Sequence, residues 1–371
     1  MKPIVFPDYK KSILNVSTSI LNHYGVKISH PTLPLLDSHL SKNYRNIVLI
    51  LVDGLGEDAI IKHLSSSSKL YQNMASTLTS VFPSTTVAAT TSVLSGKTPL
   101  ETGWLGWHQY ISEEDASVIF FLNRDYYSLK SYDYLVAERY VPYLNIYQQI
   151  TAVSPHIHTH EIFPAFRTPE HTTFAKICET IKNTIQADGK HFVYAYWDKV
   201  DSLMHEYGPY SKPVHDMIMS VEEGYANLIA SIEDDTLVIV IADHGQVDVE
   251  TIQLTNYPLI IDTLKRLPSN ESRASVFYVK DSMHEVFENA FNSQFRQYFN
   301  LYKTEDLLKM GLFGNGKEHP RLRDFLGDYV AIAIDHYILS TVNNDFVMRG
   351  QHAGLLKEEM IVPLIIHSPK K

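Results

Sequence analysis

Five apolar runs, separated by stretches of helical character, constrain the fold of this chain more than any other feature. These strand-like runs are residues 45–52, 191–197, 236–242, 329–334 and 361–367. The first, third and last are hydrophobic almost throughout, as expected for central strands that are covered on both faces. The alternation predicts an α/β fold with a mostly parallel central sheet and helices on both faces.

The segments between the strands set the expected domain organisation. Helical patterns are predicted near residues 10–22, 57–65, 86–95, 170–187, 213–231 and 282–299. Neither a repeat nor a Gly/Ser-rich linker divides the sequence. We therefore expect a single catalytic domain over residues 1–371, with residues from about 265 to 328 as a candidate cap inserted over the site.

Charge and cysteine content narrow the functional classes. The formal net charge of −10 argues against a general nucleic-acid-binding surface, which is normally basic. A phosphate substrate stays open, because bound divalent cations can reverse the local field. The single cysteine, Cys178, excludes an intramolecular disulfide and fits a reducing compartment. The first residues lack the apolar segment of a secretory signal, and no apolar run approaches the roughly 20 residues that span a bilayer. We predict a cytoplasmic protein without a membrane segment.

Metal-ligand residue types follow several of the predicted strands. Asp53 comes directly after the first run, and Asp243 and His244 come directly after the third. Asp201 and His205 lie just beyond the second run, four residues apart, so that a helical turn places them on one face. Because parallel strands end at the same edge of a sheet, these side chains are expected to gather there. Each motif alone also fits a simple turn or a solvated pair.

A threonine and a late histidine complete the set. Thr86 opens a predicted helix, where its hydroxyl and the free backbone N–H groups would face an anionic phosphoryl group. The structural alternative is that Ser84 or Thr85 caps this helix. His352 lies between glycines in GQHAG, which alone is typical of a surface loop. The full set suits two metal ions roughly 4 Å apart that clamp a phosphoryl group.

The order VDG, FPSTT…SG, D-x3-H-x2-GP, DHG and G-x-H resembles the type I phosphodiesterase / nucleotide pyrophosphatase family of the alkaline phosphatase superfamily. The resemblance runs from about residue 45 to the C-terminus and implies an alkaline-phosphatase-like α/β core. It implies hydrolysis of phosphodiester or phosphoanhydride bonds, with a small phosphorylated substrate for which a nucleotide is one candidate. Oligomeric state is not predicted.

The resemblance also implies roles for individual residues. It assigns one zinc ion to Asp201, His205 and His352. A second zinc ion is assigned to Asp53, Asp243 and His244, with manganese as the alternative metal. Thr86, ten positions before Gly96, becomes the nucleophile that forms a phospho-threonine intermediate.

The sequence departs from the family where an asparagine usually follows the nucleophile by about twenty residues. Here that stretch reads GWLGWHQY, and its nearest matches are Trp107 and His108. We predict that these two residues contact substrate, with packing as the alternative for Trp107. Two further functions remain open: a phosphomonoesterase using the same site, and a non-catalytic protein that binds metal and a phosphorylated ligand.

Overall fold

The structure is a computed structural model that describes residues 3–342 and 347–369. The strands are β1 (Asn46–Val52), β2 (Met74–Thr79), β3 (Gln109–Ile111), β4 (Ala116–Ile119), β5 (Arg124–Asp125), β6 (Ile157–Ile162), β7 (Lys190–Trp197), β8 (Thr236–Ile241), β9 (Val247–Asp248), β10 (Glu250–Gln253), β11 (Ser269–Asn270), β12 (Ala274–Phe277), β13 (Phe299–Lys303), β14 (Tyr329–Ala333), β15 (Tyr337–Ser340), β16 (Gly350–Gln351) and β17 (Ile361–His367). The α-helices are α1 (Ile13–His23), α2 (Pro34–Leu40), α3 (Glu57–His63), α4 (Lys69–Gln72), α5 (Thr86–Ser95), α6 (Pro99–Thr102), α7 (Val136–Tyr140), α8 (Ile146–Val153), α9 (Phe174–Gln186), α10 (Lys199–Tyr207), α11 (Lys212–Ser231), α12 (Pro258–Ile261), α13 (His284–Phe295), α14 (Thr304–Lys309), α15 (Leu322–Leu326) and α16 (Lys357–Met360).

The central sheet has six strands in the order β2-β17-β8-β1-β7-β6. Strands β8, β1, β7 and β6 are parallel to one another, and β17 runs antiparallel to both β2 and β8. Every residue of β1 and of β8 is buried, because each strand is covered by neighbours and by both helical layers. The predicted α/β fold with a mostly parallel central sheet is confirmed.

A second sheet of four strands has the order β11-β12-β14-β13 and is antiparallel throughout. It contains β14, the apolar run that the sequence grouped with the other strands of the α/β pattern. This run is also buried on both faces, so hydrophobicity alone did not separate it from the central strands. The candidate cap at about 265–328 overlaps this sheet, and its boundaries stay a prediction.

The hydrophobic core forms around the central sheet and continues beneath the second one. The largest cluster includes β1, β8 and the apolar face of α9. A separate cluster of phenylalanines, including Phe287, Phe291 and Phe295 of α13, packs on the second sheet. Among the described residues no helix is long and apolar enough to cross a membrane.

Candidate functional site

Three neighbouring strands of the central sheet end at the same level, and each leads directly into polar residues. Val52, the last residue of β1, pairs with Trp197, the last residue of β7, while Leu51 pairs with Ile241 at the end of β8. Asp53 follows β1, α10 follows β7, and Asp243 and His244 follow β8. The chain therefore brings carboxylates and imidazoles together at the carboxyl edge of the sheet, as parallel topology requires.

A glycine allows the first two of these segments to approach closely. Gly54 has a φ of +74°, and a Cβ atom added to it would lie 3.0 Å from the Cα of Asp201. Only glycine combines this left-handed conformation with such a short distance at low energy. The VDG motif is thus a turn that sets Asp53 beside the start of α10.

His352 reaches the same edge through a short antiparallel pair that is distant in sequence. Strand β16 pairs with β9, with Gly350 opposite Asp248 and Gln351 opposite Val247. Since β9 follows His244 within a few residues, this pairing places the late histidine against the loop after β8. The His352 and His244 rings stack with centroids 3.7 Å apart.

The three histidines all point Nδ1 at a backbone carbonyl oxygen. The Nδ1 atom of His205 is 2.8 Å from the carbonyl oxygen of Gly350, and that of His352 is 3.2 Å from the carbonyl oxygen of Ser84. His244 Nδ1 lies 3.1 Å from the carbonyl oxygen of its neighbour in the chain. Because a carbonyl can only accept, Nδ1 donates in each case, and Nε2 faces the carboxylates.

These Nε2 atoms converge on the aspartates. His205 Nε2 is 3.3 Å from Asp201 Oδ2, and His244 Nε2 is 3.4 Å from Asp53 Oδ1. The ligand atoms of Asp201, His205 and His352 all lie within 4.8 Å of one another, and so do those of Asp53, Asp201 and His244. Asp201 belongs to both groups, so the two groups adjoin.

Burial and the neighbouring charges shift the pKa values of the clustered side chains. Burial, followed by the charges of Asp243 and Asp201, raises the pKa of Asp53 well above its ordinary value. Burial also raises the pKa of Asp243 to about 7. Burial alone would lower the pKa of His205, but the charge and hydrogen bond of Asp201 outweigh it and raise that pKa to about 9. The cluster therefore attracts positive charge.

The donor set fits divalent metal ions. A metal ion would displace the protons that this cluster otherwise binds. Each imidazole that donates through Nδ1 would then offer a lone pair at Nε2, and the facing carboxylates would also offer only lone pairs. Asp243 Oδ2 is buried and has no hydrogen-bond partner. A cation is the group that would satisfy these converging acceptors, and imidazole with carboxylate is a common ligand combination for zinc.

Thr86 lies at the border of this cluster. Its Oγ1 is 3.2 Å from His244 Nε2 and 3.4 Å from Asp53 Oδ2. Thr85 occupies the N-cap position of α5, yet its hydroxyl does not cap the helix; it donates to Glu271 Oε1 at 2.6 Å. The alternative in which Thr85 caps this helix is thus replaced by a tertiary contact, and the N-terminus of α5 keeps free N–H groups beside Thr86.

The two predicted substrate contacts line the same cleft but differ in character. Trp107 is 38% exposed, which leaves much of its indole open to a ligand. His108 is buried and stacks on Tyr126 with ring centroids 3.8 Å apart. Burial lowers the pKa of His108 to about 3, so it is neutral and supplies no positive charge. Their contact with substrate stays a prediction.

Several residues at the site were missed by sequence reasoning. Tyr196 donates its hydroxyl to Asp53, and the side-chain amide of Gln246 donates to Asp201. Glu271, in the turn between β11 and β12, accepts from Thr85 and from the backbone N–H of Trp107. Tyr196 was hidden in a hydrophobic strand, and Glu271 in a polar turn with no recognisable motif. Gln246, which follows DHG, carried the only local signal.

Comparisons with known proteins agree with this architecture. The sequence profile of the type I phosphodiesterase / nucleotide pyrophosphatase family matches residues 47–352. Murine ectonucleotide pyrophosphatase / phosphodiesterase 5, solved as an inactive variant in complex with AMP, is 17% identical, with 86% of this chain and 87% of that chain covered at a TM-score of 0.66. Phosphonoacetate hydrolase from Sinorhizobium meliloti, in complex with phosphonoformate, is 14% identical, with 92% of each chain covered and a TM-score of 0.66. At these identities the likeness shows a shared fold. No curated protein matches the sequence.

Proposed function

The chain belongs to the type I phosphodiesterase / nucleotide pyrophosphatase family, and we propose that this hydrolase of phosphoric esters uses Thr86 as its nucleophile at a site for two divalent metal ions. The position of Thr86 carries the proposal. Its hydroxyl lies at the helix N-terminus and within 3.5 Å of both Asp53 and His244. Helix capping alone does not require a hydroxyl group in contact with such a cluster.

The proposed ligands divide into two sets. Asp201, His205 and His352 form one, and Asp53, Asp243 and His244 form the other, with zinc as the first choice of metal and manganese as the alternative. When bound, two such ions supply charge neutralisation for the phosphoryl group and lower the pKa of a hydroxyl next to them. The unpartnered Oδ2 of Asp243 supports its place in a set.

The residues of the chain then perform the transfer in two steps. The Thr86 hydroxyl passes its proton to water and attacks phosphorus, so that a phospho-threonine forms as the bond to the leaving oxygen breaks and the leaving group takes up a proton from water. Water attacks the phospho-threonine, which frees the hydroxyl and releases the phosphoryl product. The free N–H groups at the start of α5 face the phosphoryl oxygens throughout, and the helix dipole favours their negative charge.

A phosphodiester fits the site better than a monoester, and a phosphoanhydride is the second candidate bond. A monoester carries an additional negative charge, and no lysine or arginine lines the cleft in the part of the chain that the structure describes. The proposed substrate is a small phosphorylated molecule, with a nucleotide as one candidate. A cytoplasmic location stays a prediction that rests on the composition, in which Cys178 is the only cysteine.

The test compares bis-p-nitrophenyl phosphate with p-nitrophenyl phosphate as substrates of the metal-loaded protein. We expect diester turnover that is abolished by chelation and reduced at least a thousandfold in Thr86→Ala, with partial activity in Thr86→Ser. Thr184→Ala, the same change on the remote helix α9, serves as the matched control and should keep full activity.

Other outcomes would redirect the proposal. Preferential monoester turnover would retain the site but change the substrate class. If Thr86→Ala hydrolysed these esters as fast as the parent protein, the nucleophile assignment would be wrong. If the metal-loaded protein were inactive on every ester and anhydride, with Thr86→Ala changing nothing, a ligand-binding role would be favoured.

A further inference from the structure

Gln246 follows the DHG motif in the short loop between β8 and β9, and its side chain is 4% exposed. The side-chain amide donates to the carboxylate of Asp201. With His205 and His352, Asp201 forms one of the two proposed metal-ligand sets, named here the α10 set. No step of the proposed reaction uses Gln246, so the chemistry alone does not explain why this amide is buried beside a proposed ligand.

The amide group of Gln246 can face Asp201 in only one way. Its Nε2 donates to Oδ1 of Asp201 and lies 3.2 Å from the backbone carbonyl oxygen of the same residue. Turning the amide over would place Oε1 against these two oxygens, which can only accept a hydrogen bond, and the oxygens would repel one another. Gln246 is therefore a donor to Asp201.

The other side of the amide has no partner. Oε1 of Gln246 is buried and accepts no hydrogen bond from any described residue. It faces Gly350, where an added Cβ atom would lie only 2.7 Å from it. Because an unpaired buried acceptor is unfavourable, an apolar side chain of the same length would suit this place better if packing were the only requirement. The bond to Asp201 is what an apolar side chain could not supply.

This bond fixes how Asp201 presents its carboxylate. While Oδ1 accepts from Gln246, Oδ2 lies 3.3 Å from Nε2 of His205. Among the described residues, Gln246 is the only side chain outside the proposed ligands that hydrogen-bonds this carboxylate. Without the amide, the carboxylate could rotate about its Cβ–Cγ bond, because the proposed ligands around it offer no other fixed donor.

Gln246 also lies where the two segments that carry the α10 set meet. Asp201 and His205 belong to α10, whereas His352 follows β16. Gly350 of β16 accepts from Nδ1 of His205 at 2.8 Å, and the amide of Gln246 packs against the backbone of Gly350. One buried side chain thus contacts both segments, although it belongs to neither.

Building on the function proposed above, we propose that Gln246 is a positioning residue that sets the metal affinity of the α10 set. It acts through Asp201 and not on the substrate. Hydrogen bonds that orient a metal ligand from behind typically account for about a 10- to 100-fold gain in metal affinity. The described hydrogen bonds of the Gln246 side chain reach only Asp201, so the other proposed ligand set should not depend on it.

Zinc titration of the metal-free protein, in competition with a chromophoric chelator, measures this affinity directly. The parent protein should bind two equivalents. In Gln246→Met, which keeps the length but removes the donor, one equivalent should bind about 10- to 100-fold more weakly and the other within about 3-fold of its parent value. Gln246→Asn withdraws the amide by one methylene and should shift the same equivalent in the same direction. Circular dichroism identifies folded variants, and Gln246→Asn decides the test if Gln246→Met does not fold.

Turnover at different zinc concentrations separates positioning from a structural role. The zinc concentration for half-maximal diester turnover should rise about 10- to 100-fold in Gln246→Met, while kcat at saturating zinc should stay within about 3-fold of the parent value. Asn46→Leu is the matched control. Asn46 is a buried amide at the opposite end of β1 from the site, and its oxygen also lacks a partner among the described residues. Its loss should leave zinc affinity unchanged.

Asp201→Ala provides the background that locates the effect. If Gln246 acts only through Asp201, then adding Gln246→Met to Asp201→Ala should cause no further loss of zinc affinity. A residue that supports the loop in some other way would weaken binding in both backgrounds.

The outcomes separate this inference from the function on which it rests. Unchanged zinc affinity in the folded Gln246 variants overturns the positioning role but leaves the proposed hydrolase intact. An equal loss in Asn46→Leu, or the full loss repeated in the Asp201→Ala background, also overturns it, because the effect would then not pass through Asp201. If the parent protein bound neither zinc nor manganese, the proposed function and the inference would both be overturned.

Discussion

The buried pair Arg273–Glu359 ties the second sheet to the loop that carries His352, and we predict that breaking it costs both stability and activity. Both side chains are fully buried. Glu359 also accepts from the backbone N–H groups of Gly354 and Leu356 at 2.7 and 3.1 Å. Gly354 in turn accepts from the hydroxyl of Ser84 at 2.9 Å. One carboxylate thus holds the segment that follows His352.

The magnitude follows from what each substitution leaves behind. Arg273→Met strands a buried carboxylate with two backbone donors and should lower the free energy of unfolding by about 3–5 kcal/mol. Glu359→Met strands a buried guanidinium and should cost a similar amount. The double variant removes both charges, leaves two N–H groups without this acceptor at about 1–3 kcal/mol each, and deprives two backbone carbonyl oxygens of the Arg273 donor. Its cost should therefore be well below the sum of the single variants.

Urea unfolding, followed by circular dichroism and tryptophan fluorescence at one fixed metal concentration, measures these differences. Diester turnover of the folded variants reports the displacement of the His352 loop. Lys212→Met, which breaks an exposed pair with Asp216 on α11, is the control and should change stability by less than about 0.5 kcal/mol. If Arg273→Met cost no more than this control, or if the single costs were additive, the reasoning about a buried and coupled pair would be refuted.

Two further predictions follow from burial. Burial raises the pKa of Glu271 from 4.5 to about 7, so between these values the folded protein binds this proton more tightly than the unfolded chain, and the free energy of unfolding falls as the pH rises. The fall in the urea midpoint between about pH 5 and about pH 8 should be smaller in Glu271→Gln than in the parent protein. An equal fall in both proteins would contradict the raised pKa of Glu271. Burial also raises the pKa of the Cys178 thiol to about 12. Iodoacetamide labelling at about pH 8, followed by mass spectrometry, should be at least about a thousandfold slower in the folded protein than in urea, and rapid labelling of the folded protein would argue against burial.

Much of the fold could be predicted because its signals are local. The runs that became β1 and β8 are continuous in hydrophobic residues, since each must be covered on both faces. The helix over 86–95 was predicted with the bounds that the structure gives. The direction of β17, antiparallel to β8, left no mark on its sequence, because a buried strand has the same composition in either direction.

The candidate site residues could be recognised in the sequence because their positions also follow from local structure. Asp53, Asp243 and His244 stand directly after strands, and parallel strands deliver their ends to one edge. Asp201 and His205 needed only the period of a helix. Sequence order therefore sufficed to name the candidate ligands and Thr86, whose roles stay predictions.

Contacts between segments that are far apart in the chain were decided only by the tertiary structure. The pairing of β9 with β16 brings His352 to His244, and the turn after β11 brings Glu271 to Thr85. The same turn places the Glu271 carboxyl group in the cleft, although nothing in its local sequence distinguishes it from a solvated loop. The chain pattern thus specified which groups could do chemistry, because their placement depends on short-range periodicity and strand ends. Which other side chains lie beside them depends on long-range packing, and such packing has no counterpart in the spacing of residues along the chain.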